Sequence, residues 1–169
     1  MVCDIKKSLF TKCNNFKIAY HDVEAENLGA DYRKNTQVDI EKRDDASNGH
    51  GIGWTRKGEW LHYTVEVAKD GVYQITMPVA SNKQGGLFHL EIEGEDLTGP
   101  IRIPDTGGWT ILKTISHKGV QLKKGIHTIR AIMDTYLVGM TNMTSTCPVL
   151  VSPGGTPTDQ AAVDADAAA

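Results

Sequence analysis

The sequence lacks the features that mark several large protein classes. Three cysteines occur in 169 residues, at positions 3, 13 and 147, and an odd number excludes a fully paired intrachain set. Cys3 and Cys13 could form a disulfide or remain free thiols, and the spacing matches no zinc site. No apolar run reaches the length of a transmembrane helix. The formal net charge of -3 disfavours nucleic acids and anionic membranes, which require a basic surface, so we expect neither as a partner.

Known catalytic motifs are missing as well. The chain has no Gly-x-Ser-x-Gly elbow, no His-Glu-x-x-His pair, no phosphate loop and no Cys-x-x-Cys pair. Its six histidines are scattered, at positions 21, 50, 62, 89, 117 and 127, and we interpret them as surface or strand residues. Acidic residues are abundant, yet nothing marks two of them as a glycosidase pair.

The two ends differ in composition from the middle of the chain. The start, MVCDIKKSLF, has no apolar segment of the length that a secretory signal needs, so the chain is either intracellular or secreted with a signal outside this sequence. We predict an N-terminal extension over 1–16, a folded module over 17–145, and a flexible linker and tail over 146–169, where Pro, Gly and Thr give way to Ala and Asp.

Alternation with a period of two dominates residues 60–133. In EWLHYTVEV, apolar Leu61, Tyr63, Val65 and Val67 alternate with polar residues, and VYQITMPV and LFHLEIEG repeat the pattern. TILKTIS and HTIRAIM are two further candidate strands, and turn signals at 69–71, 83–86, 94–96 and 123–125 separate the set. No helical period longer than one or two turns stands out. The pattern predicts an all-β fold, an antiparallel sandwich or barrel.

The three tryptophans are the most informative residues. Trp60 begins a strand whose Leu61 fits the core, so its side chain should face the other way or lie at an edge, partly buried against a neighbouring strand. Trp54, in GHGIGWTRKGEW, and Trp109, in PDTGGW, fall in loops rich in glycine. Each could fold back over the core or face a ligand. An indole suits the apolar C–H face of a sugar ring, and an adjacent glycine lets the ligand approach the backbone.

Several separated runs closely resemble the family 6 carbohydrate-binding modules, over roughly residues 18–135. They are HDVEAENLG, GHGIGWTRKGEWLHYTVEVAKDGVYQITMPVAS, GGLFHLEIEGEDLTGPIRIPDTGGW and GVQLKKGIHTIRAIMD. The resemblance implies a jelly-roll β-sandwich of the galactose-binding-domain-like type and a non-catalytic, lectin-like function. It further implies attachment to a glycoside hydrolase and an extracellular, secreted location.

The resemblance also implies where sugar would bind, in loops at one end of the sandwich. Two aromatics of the family clamp a sugar ring there, and they correspond to Trp54 of GIGW and Trp109 of TGGW. Glu41, in VDIEKRDD, is the candidate polar residue of the same site. It could equally be a solvated charge in an acidic and basic run.

The resemblance maps the stretch VEAEN onto a structural calcium motif. Glu24 and Glu26 lie two apart, so on a strand they would point the same way, and hard oxygen ligands suit Ca²⁺. The C-terminal part departs from the family pattern, since it reads YLVGMTNMTSTCPVL without the usual Asn-hydrophobic-Asp group. Asn142 could stand in the sugar-binding position, stand one register over in the calcium position, or do neither.

The expected ligand is a β-glucan or xylan, in polysaccharide or oligosaccharide form, with a preference for β-1,3- or β-1,4-glucan because flat glucose rings suit two tryptophans. Fucose, galactose and agarose-type ligands stay open. We expect a monomer of modest affinity. Two alternatives remain at this point: a small glycosidase or lyase, and a structural interaction module with a degenerate sugar site.

Overall fold

The computed structural model describes residues 20–30, 34–45, 49–83, 85–135 and 149–151. These residues form an all-β structure, as predicted, and include no helix that could cross a membrane. In chain order the strands are β1 (Tyr20–His21), β2 (Ile40–Lys42), β3 (His50–Ile52), β4 (Trp60–Val67), β5 (Gly71–Ser81), β6 (Leu87–Ile92), β7 (Glu95–Asp96), β8 (Ile101–Arg102), β9 (Gly108–Leu122), β10 (Gly125–Met133) and β11 (Val149–Val151).

The strands form two main antiparallel sheets and one small hairpin. The larger sheet has the order β1-β4-β10-β6-β7, with β8 also pairing with β6. The second sheet has the order β11-β5-β9, and β2 pairs with β3 alone. A core cluster contains Val65 of β4 together with Ile75 of β5, so the two main sheets bury their apolar faces against each other as a β-sandwich.

The predicted alternation positions the core. Leu61, Tyr63, Val65 and Val67 are buried on β4, while their neighbours are half-buried or exposed. Strand β5 repeats the pattern from Tyr73 to Val79. The apolar face of each strand therefore faces the opposing sheet, because successive side chains of a strand point to opposite sides.

Two local features differ from the sequence-based expectation. Gly108 and Trp109 begin the long strand β9, where Gly108 pairs with Ser81, so Trp109 is not at the tip of a loop. Residues 149–151 fall in the predicted linker and tail, yet they form β11 and pair with β5 at Gln74, Ile75 and Thr76. Backbone pairing thus includes this short stretch in the second sheet.

Candidate functional site

The β2–β3 hairpin carries the first group of candidate residues. Ile40 pairs with Ile52, and both are buried, which anchors the hairpin to the core. In the next pair of the hairpin, Glu41 lies opposite Gly51 and is half-buried. The chain then passes through Gly53, whose N–H donates to the carbonyl oxygen of Asp39 at 3.0 Å. The next residue is Trp54, so Glu41 and Trp54 belong to one hairpin and its exit.

Trp54 adopts a backbone conformation that is unusual for a bulky residue. Its φ is +50°, in the left-handed region where a Cβ meets the following carbonyl oxygen. Such a conformation costs on the order of 1–3 kcal/mol and persists only where the surroundings impose it, most often at functional sites. The residue is half-buried, and with this backbone conformation Trp54 remains a candidate binding residue.

Arg43, directly after β2, joins this hairpin to Trp109. Its Nη1 donates to Glu41 Oε1 and to the carbonyl oxygen of Trp109, each at 3.0 Å. Its Nε and Nη2 donate to the two carboxylate oxygens of Asp45, at 2.8 and 2.6 Å. The structure therefore brings Glu41 and the start of β9 within reach of one nitrogen atom.

The electrostatics of this cluster keep its charges in place. Burial alone would lower the pKa of Arg43, but hydrogen bonds to Asp45 and Glu41 outweigh it and raise that pKa. The hydrogen bond from Arg43 in turn lowers the pKa of Asp45. Charge-assisted bonds of this forked kind are stronger than neutral ones and fix the plane of the guanidinium group.

The glycine-rich turn before Trp109 is anchored by a buried threonine. Thr106 is buried against Ser81, the last residue of β5. Its hydroxyl accepts from the Ser81 N–H and lies 2.8 Å from the Ser81 carbonyl oxygen, to which it donates. Asp105 Oδ1 accepts from the N–H groups of Gly107 and Lys83, at 2.8 and 3.1 Å. These contacts hold the turn in one conformation and present Trp109, half-buried, at the start of β9.

Trp60 lies elsewhere, on the outer face of the larger sheet, as its alternation predicted. The ring centroids of Trp60 and His62 are 4.6 Å apart. The guanidinium carbon of Arg130 lies 5.6 Å from the Trp60 ring centroid. Arg130 also pairs with Glu91 across the sheet, with Nε 2.8 Å from Oε2. Half-buried against neighbouring strands, Trp60 has partners within the protein.

The two candidate calcium ligands do not lie side by side on a strand. Residues 23–26 form a bend after β1, with Glu24 half-buried and Glu26 exposed. Glu24 Oε2 lies 2.6 Å from Arg56 Nε and forms an ion pair with it. Among the residues that the structure describes, no three His, Cys, Asp or Glu side chains converge to hold a metal ion. These residues alone therefore do not complete a calcium site.

Three further carboxyl groups, at Asp22, Asp39 and Glu59, are buried. All three line a small cavity. Within the described residues, Asp39 Oδ2 and Glu59 Oε1 have no hydrogen-bond partner. Burial is the main cause that raises the pKa of Asp39 to about 6 and that of Glu59 to about 7, and the charge of Asp22 adds to both. Burial also raises the pKa of Asp22.

Sequence reasoning missed Arg43 and these buried acids. Arg43 sits in the run EKRDD, which reads as solvated charge, and its contact with Trp109 spans 66 positions. Asp39 lies between the apolar Val38 and Ile40, a faint signal that its surroundings are buried. The remaining candidate, Asn142, lies outside the described residues.

Together these features define a β-sandwich module with a strained tryptophan, a carboxylate and a second tryptophan near one hairpin, without a catalytic constellation among the described residues. The family model described as "Carbohydrate binding module (family 6)" matches residues 28–144. The chain belongs to this family. It is a non-catalytic carbohydrate-binding module, which overturns the glycosidase alternative.

One curated protein is similar to about half of this chain. The chain is 32% identical over 88 residues to the clotting factor G alpha subunit of Tachypleus tridentatus, which covers 51% of this chain and 13% of that protein. Since the chain spans about an eighth of that relative, the relative's overall activity says little about this chain.

Two solved structures are similar in fold and sequence. One is a family 6 module of Cellvibrio mixtus lichenase 5A in complex with cellotriose, with 30% identity and a TM-score of 0.57, covering 69% of this chain and 87% of that one. The other is a β-1,3-glucan-binding module from Bacillus halodurans, with 27% identity and a TM-score of 0.56, covering 68% and 86%.

Proposed function

We propose that this module binds a β-1,3- or β-1,4-glucan by stacking Trp54 and Trp109 on the two faces of one sugar ring. Glu41 accepts a hydrogen bond from a hydroxyl group at the rim of that ring. The observation that carries the proposal is the shared contact of Arg43 Nη1 with Glu41 Oε1 and the Trp109 carbonyl oxygen, because it joins two of the three candidate residues across the fold.

Two further observations support the proposal, the first for the site and the second for the glucan. The strained backbone of Trp54 is expected where a ligand site imposes a conformation. The similar modules from Cellvibrio mixtus and Bacillus halodurans are described with cellotriose and with β-1,3-glucan. Xylan remains the second candidate ligand of the same site.

The test is isothermal titration with β-1,3-gluco-oligosaccharides, cello-oligosaccharides and xylo-oligosaccharides. We expect one glucan series to bind, and Trp54→Ala or Trp109→Ala to lower the affinity roughly 30-fold or more, as for a central aromatic anchor. Lys123→Gln is the matched control, because Lys123 forms an exposed pair with Asp70 at the opposite end of β5 and β9. Trp60→Phe tests whether the outer face of the larger sheet takes part in binding, and we expect this substitution to leave the affinity unchanged. A folded wild-type protein that binds no glucan or xylan would favour a degenerate interaction module.

We also propose that Glu24 and Glu26 take part in binding a structural calcium ion. The support is the family motif in VEAEN together with the half-buried carboxylate of Glu24, a hard oxygen donor whose Oε2 now pairs with Arg56 Nε at 2.6 Å. Thermal unfolding in calcium and in chelator tests it. A stabilisation by calcium that Glu24→Gln and Glu26→Gln each remove is expected, and equal unfolding temperatures in both buffers would contradict it.

The wider context is proposed on family grounds. The module is secreted, monomeric, and holds an attached glycoside hydrolase on its polysaccharide. Sedimentation analysis of this chain tests the monomer, and a shift to twice the mass would contradict it.

A further inference from the structure

Arg43 combines a full positive charge with nearly complete burial. It is 6% exposed, and arginine is rarely buried to this degree unless it is paired. Its hydrogen-bond acceptors include the Asp45 carboxylate, Glu41 Oε1 and the Trp109 carbonyl oxygen. Two of these acceptors belong to the proposed sugar site, and the third lies beside it.

Asp45 fixes the direction in which Arg43 points. The Asp45 carboxylate accepts hydrogen bonds from Arg43 Nε and Nη2. This bidentate pair sets the plane of the guanidinium group. Nη1, the remaining nitrogen, is then aimed at Glu41 and Trp109. Because the guanidinium group is rigid, both acceptors stay within hydrogen-bond reach of one nitrogen at 3.0 Å.

We propose that Arg43 is a positioning residue for carbohydrate binding, which sets the separation between the Glu41 carboxylate and the start of β9 that carries Trp109. The inference rests on the proposed function of this site. Without Arg43, the β2–β3 hairpin and β9 lose a tie that spans 66 positions of the chain. Glu41 and Trp109 would then no longer meet one sugar ring at a fixed distance.

Arg43 leaves Glu41 able to bind. The contact engages Oε1, and the Glu41 side chain keeps 25% of its surface exposed. Arg43 shares its charge with Asp45 as well, so the three side chains carry a net charge of about -1. Glu41 therefore remains an anionic acceptor for a sugar hydroxyl group, held in one place.

Lysine cannot replace this arrangement. Its single ammonium group carries the charge but lacks the planar fork that can hold Asp45 while contacting two further acceptors. Arg43→Lys should therefore keep much of the electrostatic balance and lose the geometry. Asp45→Asn tests the same idea from the surface, since Asp45 is 41% exposed and its substitution leaves Arg43 in place.

The experiment compares wild type, Arg43→Lys, Arg43→Gln and Asp45→Asn, with Lys123→Gln as control. Titration with a β-1,3-gluco-oligosaccharide and with cellotriose is done well below each unfolding temperature. We expect roughly tenfold weaker binding for both Arg43 variants, the size of a lost charged hydrogen bond, a smaller loss for Asp45→Asn, and none for Lys123→Gln. A purely structural role would lower the unfolding temperature and leave the affinity of the folded protein unchanged.

A ligand-free readout separates this inference from the proposed function. In protein labelled with 5-fluorotryptophan, the three ¹⁹F resonances are assigned by single Trp→Phe variants. Arg43→Lys and Asp45→Asn should shift or broaden the Trp109 resonance and leave that of Trp60 unchanged. If wild type binds no glucan yet Trp109 responds, the proposed function fails and the positioning contact stands. If folded Asp45→Asn and Arg43→Lys keep wild-type affinity and an unchanged Trp109 resonance, the inference is overturned.

Discussion

Arg43 Nη1 donates a hydrogen bond to the carbonyl oxygen of Trp109 at 3.0 Å, across 66 positions of the chain. The contact joins the β2–β3 hairpin to the first residues of β9, two elements with no backbone pairing between them. Because the bond goes to the main chain, the indole of Trp109 stays available for other contacts. A long-range contact of this kind fixes the spacing between two segments that are separately anchored in the core.

The strained backbone of Trp54 predicts an unusual order of stability among its variants. With φ at +50°, glycine should be preferred over alanine by about 1 kcal/mol, because alanine keeps the Cβ clash. Trp54→Gly should therefore unfold at higher denaturant concentration than Trp54→Ala. The same pair at Trp60, an ordinary strand position, should show the reverse order, because glycine weakens strands. If the glycine and alanine variants had the same order of stability at both positions, backbone strain at Trp54 would not be the explanation.

The buried carboxyl group of Glu59 predicts a pH-dependent stability. Its pKa rises from 4.5 to about 7 in the folded state, chiefly through burial. An acid whose pKa is higher in the folded state than in the unfolded state contributes its full stability at a pH below the unfolded-state pKa. That contribution is lost as the pH rises through the folded-state pKa. The contribution of Glu59 should therefore fall by roughly 3 kcal/mol between pH 4.5 and pH 7.

The check uses Glu59→Gln, which keeps the shape and removes the titrating proton. Urea unfolding at several pH values should show the variant and wild type similar near pH 4.5, with the variant more stable near pH 8. Glu66→Gln, at an exposed position of the same strand β4, is the matched control and should follow the wild-type curve. A variant that is less stable than wild type at pH 8 would refute the assigned cause.

The strands were predictable because their signal is local. Alternation in EWLHYTVEV is a property of neighbouring residues, and the structure buries Leu61 and Tyr63 on β4 as that pattern requires. Trp109 was assigned to a loop because glycine-rich segments usually form one. Strand β9 begins at Gly108, the second glycine of PDTGGW, because Gly108 pairs with Ser81. No pattern in PDTGGW predicts that pairing.

The candidate site was predictable only in part. Family motifs pointed to Trp54, Trp109 and Glu41, whose places in the fold are now described. The role of Arg43 could not be read from EKRDD, because a buried and a solvated arginine have the same neighbours in sequence. What distinguishes them is a hydrogen bond to β9, which depends on how two distant segments pack.

The close contact between Gly85 and Ile103 predicts that position 85 tolerates no side chain. A Cβ on Gly85 would lie 2.5 Å from Ile103 Cγ2 and 2.8 Å from the Ile103 carbonyl oxygen. Gly85→Ala should therefore displace Ile103 and destabilise the fold by about 1–3 kcal/mol, as overpacking does. At Gly71 a Cβ would meet Tyr73 at 3.6 Å, so Gly71→Ala should be tolerated. Thermal unfolding compares the two, and equal effects would count against the steric explanation.

Thr106 predicts a coupling between the stability of the turn and the affinity of the site. Its buried hydroxyl satisfies the N–H and the carbonyl oxygen of Ser81. Thr106→Val keeps the shape but leaves the buried Ser81 N–H without this partner, which should cost about 1–3 kcal/mol of stability. Thr110→Val, an exposed position on β9, should change stability by less than about 0.5 kcal/mol. Titration of the folded Thr106→Val variant should also show weaker glucan binding, because the turn no longer fixes Trp109. Unchanged affinity alongside the loss of stability would limit Thr106 to a role in folding.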